Sequence, residues 1–231
     1  MKVNYFTVKG RRKENEDYIL SKSIEKDLSL HLIADGMGGY NNGRLAAETV
    51  ANKIFDYLKN NKNKDSRIEL IKESVVEANS AIKAIATDSG KSLGSTIGGC
   101  LINENSAIIF WVGDVKIIHV RDDKIQFESE DHSLINQLKK NGNIDNGLDL
   151  GSIRHVVTRS IKGEEDKFKP DVAEIELQLS DKLIICSDGI LDISSLTDLS
   201  KINFNSKTKL ENFKNKYENN SDNSSLIVLE F

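Results

Sequence analysis

The run His31-Leu-Ile-Ala-Asp35-Gly36-Met37-Gly38-Gly39 places an acid at the end of an apolar stretch and follows it with three glycines in four residues. It reads as a buried strand delivering Asp35 to its C-terminal tip, beside a main chain almost bare of side chains. A carboxylate next to an accessible peptide carbonyl suits a hard cation such as Mg²⁺ or Mn²⁺, which takes oxygen ligands. Asp-Gly is also an ordinary turn pair, so this stretch alone decides nothing. Three other strand ends carry acids: Glu16-Asp17 before Tyr18-Ile-Leu20, Asp188-Gly189 after Leu183-Ile-Ile-Cys186, and Asp222-Asn223 before Leu226-Ile-Val-Leu229. Carboxylates gathered without cations repel and raise one another's pKa. With no His or Cys cluster competing, the four ends point to an oxygen-only, two-cation site. Ions held ~3.5–4 Å apart lower the pKa of a bridging water toward ~7 and make it a nucleophile for phosphorus. Arg12, five residues before Asp17, offers a planar fork of donors for a phosphate oxyanion. The bland alternative is that residues 11–17 form a charged, solvated loop. Elsewhere, His132 after Asp131 reads as turn and helix-cap structure. His31, His119 and His155 lack ligand spacing, and Ser187 lacks the Gly-x-Ser-x-Gly elbow of a hydrolase nucleophile.

Elements that could hold these groups follow from hydrophobic spacing. Residues 3–8, 18–20, 28–34 and 94–101 read as strands. Residues 107–112 and 115–120 read as a hairpin-like pair around Gly113-Asp114, with a further strand at 125–127. Ala46, Ala47, Val50, Ala51, Ile54, Phe55 and Leu58 keep a helical rhythm over about 43–60, and a second helix covers about 66–87. Residues 133–140 form a short helix, 141–147 a loop, and 156–163 return to strand-like sequence; we read 133–165 as a flap beside the site. Strands at 172–179, 182–186 and 226–231 enclose a partly helical stretch, 190–220. The strands are apolar almost without interruption, which implies cover on both faces. The economical fold is α+β: a four-layer α-β-β-α sandwich of two mainly antiparallel sheets flanked by helices, in a single domain over 1–231.

Composition bounds the partners. The 231 residues carry 32 Lys and Arg against 36 Asp and Glu, a net charge of −4, so no broad basic face for nucleic acid is implied. No apolar run approaches the ~20 residues of a membrane span, and the N-terminus lacks a signal-peptide core. Cys100 and Cys186 both lie in apolar runs, as reduced core residues of a cytoplasmic protein do.

The ordered set Arg12…Asn15-Glu16-Asp17, Asp35-Gly36-Met37-Gly38-Gly39, Gly94-Ser95-Thr96, Val112-Gly113-Asp114, Asp131-His132-Ser133, Thr158-Arg159, Ser187-Asp188-Gly189 and Asp222-Asn223 resembles the metal-dependent protein phosphatase family, the 2C or PPM type. The compact bacterial members are the best match, from about residue 6 to the C-terminus. The resemblance implies two Mn²⁺ or Mg²⁺ ions bridged by Asp35. The Gly36 carbonyl would bind one, Asp188 and Asp222 would complete the other's shell, and Glu16 and Asp17 would act through waters. Asp114 with Asp188 would hold a third, weaker ion. Arg12 would bind the substrate phosphate, so Arg12 and Asp35 are the catalytic pair. The implied reaction is hydrolysis of phosphoserine and phosphothreonine in proteins by attack of a metal-bridging water, with no phosphoenzyme, opposing a Ser/Thr kinase; the protein is expected to be a cytoplasmic monomer. The family's Gly-Asp-Ser-Arg stands here as Gly113-Asp114-Val115-Lys116, and Met37 replaces a His of eukaryotic relatives. Rival readings are a phosphatase dedicated to one partner and a catalytically silent binding module of the same fold.

Overall fold

A computed structural model describes residues 1–38, 42–142, 153 and 156–231. Among them the strands are β1 (Lys2–Val8), β2 (Asp17–Glu25), β3 (Leu28–Met37), β4 (Gly94–Asn103), β5 (Ser106–Val112), β6 (Lys116–Arg121), β7 (Lys124–Glu128), β8 (Asp171–Glu176), β9 (Lys182–Cys186) and β10 (Ser224–Glu230). One sheet runs β1-β10-β9-β6-β7 and the other β2-β3-β4-β5-β8. All their pairings are antiparallel.

The near-continuous apolar strands are explained by the layers. On β3, Leu28, Leu30, Leu32 and Ala34 turn to helices α1 (Asn42–Asn60) and α2 (Arg67–Ser89), while Ile33 turns inward to the other sheet. On β9, Leu183 and Ile185 face inward. Ile184 and Cys186 face an outer cluster with Leu199, Phe204 and Tyr217, contributed by α4 (Asp188–Leu191), α5 (Leu196–Ser200), α6 (Lys207–Lys214) and the loops and 3₁₀ turn around them. Each fully buried Leu or Ile contributes roughly 1.5–3 kcal/mol, so a strand covered on both faces is held far more firmly than one half-wet. This is the expected α-β-β-α sandwich. Cys100 and Cys186 are buried free thiols. All seven predicted apolar positions of α1 are buried. Among the described residues, no helix is long and apolar enough to cross a membrane.

Three local expectations need correction. β5 and β6 do not form a hairpin: they lie in different sheets, and Gly113-Asp114 is the crossover between them. Gly113 has φ +107°, and a side chain there would strike Thr96, so a glycine makes this turn possible. Two apolar runs joined by Gly-Asp look alike in sequence whether they pair with each other or with other partners. Asp35 is not at the strand's tip, because β3 continues through Met37 against Gly94 of β4. Residues 156–163 form no strand and make only isolated bridges, Ser133 to Val157 and Ser95 to Ile161. The short helix predicted at 133–140 is α3 (Leu134–Lys140), capped by the Ser133 hydroxyl. Residues 143–152, 154 and 155, which hold most of the expected loop and His155, lie outside the described residues, as do Gly39, Tyr40 and Asn41.

Candidate metal centre

The acids come from both sheets. Asp17 opens β2 and stands opposite Asp35 of β3, which in turn faces Thr96 of β4. Asp114 sits in the crossover after β5. Asp188 is the first residue of α4, directly after β9 and Ser187, and Asp222 lies two residues before β10. The charges of Asp17, Asp114, Asp188 and Asp222 all bear on Asp35, so these distant positions form one electrostatic ring. Glu16 closes it at the start of α1, where its carboxylate accepts a hydrogen bond from the Gly43 main chain. A helix start favours an anion there. The fit is close: a side chain on Gly43 would lie 2.4 Å from Glu16 Oε1, and one on Gly36 only 1.9 Å from the Gly43 carbonyl oxygen. Gly36 itself is buried within β3. Arg12 donates from Nη2 to Asp222 Oδ2 at 2.6 Å, and its side chain is more than half exposed at the rim.

A frame of neutral groups holds the ring. Ser187 Oγ donates to Asp17 Oδ2 at 2.8 Å and accepts from the Ser225 amide at 2.9 Å, tying the two sheets together at the site. Ser95 Oγ donates to the Asp35 carbonyl at 2.9 Å. The Asn15 side chain accepts from the Asp17 amide and donates to Thr7 Oγ1. Arg44, on the first turn of α1, donates to the Asp17 carbonyl and lies over the Tyr18 ring, 4.9 Å from its centroid.

Burial and mutual repulsion hold the acids' pKa values high. Asp17 is wholly buried and is pushed up to about 7, first by loss of water and then by Asp188 and Asp222; hydrogen bonding to Ser225 and Ser187 offsets only part of this. Asp35 is held well above the usual carboxylate range by burial and by Asp17, Asp188, Asp114 and Asp222, although part of its side chain stays open to solvent. Asp114 is pushed up to about 6, by burial and then by Asp188. Glu16 is raised as well, mainly by burial. Asp222 and its neighbours hold the Arg12 guanidinium above its ordinary value.

These residues fit hard divalent cations. Every donor is oxygen, and Asp17 Oδ1 is a buried carboxylate oxygen without a hydrogen-bond partner, a costly arrangement unless a cation or its waters complete it. Among the described residues, no three His, Cys, Asp or Glu side chains converge closely enough to form a ready-made cage.

Sequence reasoning named the acids and Arg12 but gave no roles to Ser187, Ser95 or Gly43. For Ser187, its place beside Asp188 at a strand end and in the Ser187-Asp188-Gly189 motif is the available signal. His132 is more than a turn residue. Its Nδ1 accepts from the Gly113 amide at 3.1 Å, its Nε2 meets Asp171 Oδ2 at 3.2 Å, and Trp111 stacks on it. The helix cap is Ser133 instead. Burial lowers the His132 pKa despite Asp171. Arg159 pairs with Asp171 at 2.7 Å, and the Thr158 hydroxyl donates to the His132 carbonyl. His31 bonds Ser21 and Ser29, and His119 bonds Asp181. Lys116, which replaces the family's Arg, is buried and paired with Asp131 at 2.5 Å and Glu128 at 3.1 Å.

The protein phosphatase 2C family model matches residues 10–223. A protein phosphatase 2C-type protein of Streptococcus pyogenes is 31% identical over 216 residues, spanning 91% of this chain and 87% of the relative. The solved serine/threonine phosphatase of S. agalactiae superposes with a TM-score of 0.87 at 25% identity, covering 100% of this chain and 99% of the other. The catalytic domain of the serine/threonine protein phosphatase PstP, solved with two manganese ions, shares the fold with a TM-score of 0.79 at 22% identity, covering 98% and 96% of the two chains.

Proposed function

The chain belongs to the protein phosphatase 2C family and is a metal-dependent serine/threonine protein phosphatase; from this we propose that the acidic ring is its active site. The observation that carries this assignment is that Asp17, Asp114, Asp188 and Asp222, brought from both sheets and the segments beside them, all bear with their charge on the buried Asp35. Asp35, the Gly36 carbonyl, Asp188 and Asp222 would hold two Mn²⁺ or Mg²⁺ ions, with Glu16 and Asp17 holding their waters and Asp114 placed for a third. Bound there, the ions supply a water acidic enough near neutral pH to attack phosphorus in line. Arg12 leaves Asp222 to grip the phosphate oxygens with its planar fork. Ser187 and Asn15 keep Asp17 in place while the substrate exchanges. Met37 holds no proton to give. Among the described histidines, each ring is already engaged with a serine, an aspartate or a backbone amide.

Phosphorylated proteins made by a Ser/Thr kinase are the substrates in this reading, which takes 1–231 as a single domain with a flap at about 133–165. The two buried free thiols support the cytoplasm. The test is hydrolysis of p-nitrophenyl phosphate and of phosphothreonine peptides with added Mn²⁺. Turnover well above an Asp35→Asn control is expected; equal rates would overturn the assignment.

A further inference from the structure

The loop of residues 9–16 carries Arg12 and Glu16 but has no regular structure of its own. Outside strand pairing, its main chain makes one main-chain hydrogen bond among the described residues, from the Arg11 amide to the Asn220 carbonyl at 2.8 Å. One side chain more than 200 residues away makes three further bonds to its main chain. Asn223 Oδ1 accepts from the Glu16 amide at 2.9 Å, and its Nδ2 donates to the Lys9 carbonyl at 2.8 Å and the Glu14 carbonyl at 2.9 Å. Both ends of the loop are therefore pinned to one amide group. Asn223 is 6% exposed, and its own main-chain amide donates to Asp222 Oδ1 at 2.8 Å. The residue thus fixes the loop and the acid paired with Arg12 in a single frame. The main chain packs tightly behind it, since a side chain on Gly189 would lie 2.0 Å from the Asn223 carbonyl oxygen.

We propose that Asn223 is a positioning residue: it sets the Arg12 guanidinium and the Glu16 carboxylate at their working distance from Asp222, and so governs phosphate affinity without touching substrate. This rests on the phosphatase reading. An asparagine suits the position because it offers one acceptor and two donors in a plane. All are used here, and losing them would leave two carbonyls and an amide to find other partners at the loop's expense.

The test compares Asn223→Ala and Asn223→Ser, alone and with Arg12→Ala. For the Mn²⁺-loaded protein, KM for p-nitrophenyl phosphate should rise about ten-fold while kcat stays within about three-fold, the split expected when ground-state and transition-state binding are lost together. Calorimetry should show inorganic phosphate weakened by a similar factor and Mn²⁺ binding weakened through Glu16. In the Arg12→Ala background the KM effect should shrink to less than about two-fold, because residues acting through one contact are not additive. Arg121→Ala, at the far end of the sandwich, controls for lost stability and should leave KM unchanged. An unchanged KM and phosphate affinity in folded Asn223→Ser would overturn the proposal, as would an equal KM increase with and without Arg12. Phosphate calorimetry reads the proposal without turnover. A wild-type protein that binds phosphate but hydrolyses nothing would therefore count against the phosphatase reading and leave the Asn223 comparison decisive.

Discussion

Asp17 gives the sharpest thermodynamic prediction. Its carboxyl is wholly buried between the sheets with one oxygen unpartnered, and burial followed by the neighbouring acids raises its pKa from 3.8 to about 7. Between those values the unfolded chain has released the proton while the folded, metal-free protein keeps it. The folded state binds more protons, so stability must fall as pH rises. The loss begins near pH 4 and is complete just above pH 7. At about 1.4 kcal/mol per unit it totals about 4 kcal/mol, of which about 3 falls between pH 5 and pH 8. Asp35, Asp114 and Glu16, raised as well, add to the fall, while His31, lowered to about 4 by burial, acts in the opposite sense below its ordinary value, so absolute stability curves mix all of these. Asp17→Asn removes the acid: the amide keeps an acceptor for Ser187 and cannot ionise, the histidines cancel in the comparison, and the Asp17 charge no longer bears on Asp35. In EDTA the variant should therefore gain on wild type from pH 5 to pH 8, by about 6–12 °C in Tm for a chain of this size. Added Mn²⁺ should reverse the order, because only wild type then offers a carboxylate to the waters of the proposed ions. Melting curves that run parallel across the pH range in EDTA would refute the buried-acid argument.

The other predictions concern the ring and its supports. Asp188→Ala should cut turnover by at least about a hundred-fold and weaken Mn²⁺ binding measured by calorimetry; a wild-type rate would remove it from the centre. Arg12→Ala should raise KM about ten-fold with kcat largely kept, whereas a collapsed kcat at unchanged KM would show the role misassigned. Gly43→Ala would drive a methyl group into the Glu16 carboxylate and should weaken Mn²⁺ binding by about ten-fold, with a Tm change too small to explain it. Asp181, wholly buried, accepts from His119, Arg121 and the Gln178 amide far from the ring. Asp181→Asn should cost about 3 kcal/mol in urea unfolding and leave KM at 25 °C unchanged.

The layers were legible because a strand covered on both faces needs apolar residues at almost every position, and because α1 keeps a helical period through Leu58. Pairing was less so. The run from Ala107 to Val120 has the composition of two buried strands, but composition says nothing about which sheet each joins; only the three-dimensional position of Gly113 against Thr96 separates them. The acids were visible one by one as strand-end carboxylates, and their order along the chain carried the family resemblance. What held them was hidden. A serine or an asparagine at a strand end looks like ordinary turn chemistry. Ser187 and Asn223 take on their roles only when β9 and β10 lie side by side, with partners about 170 and 210 residues away.

β10 lies in the interior of its sheet, between β1 from the start of the chain and β9. During synthesis, then, β1 waits for a strand more than 200 residues downstream. Until residues 224–230 emerge from the ribosome, β1 and β9 expose unpaired edges that invite association with other chains. Asp222 and Asn223, just upstream, arrive only moments earlier. A nascent polypeptide arrested before that point would lack both the seam of its sheet and Asp222 of the proposed centre, so catalytic competence and protection from aggregation should be acquired together, in one step.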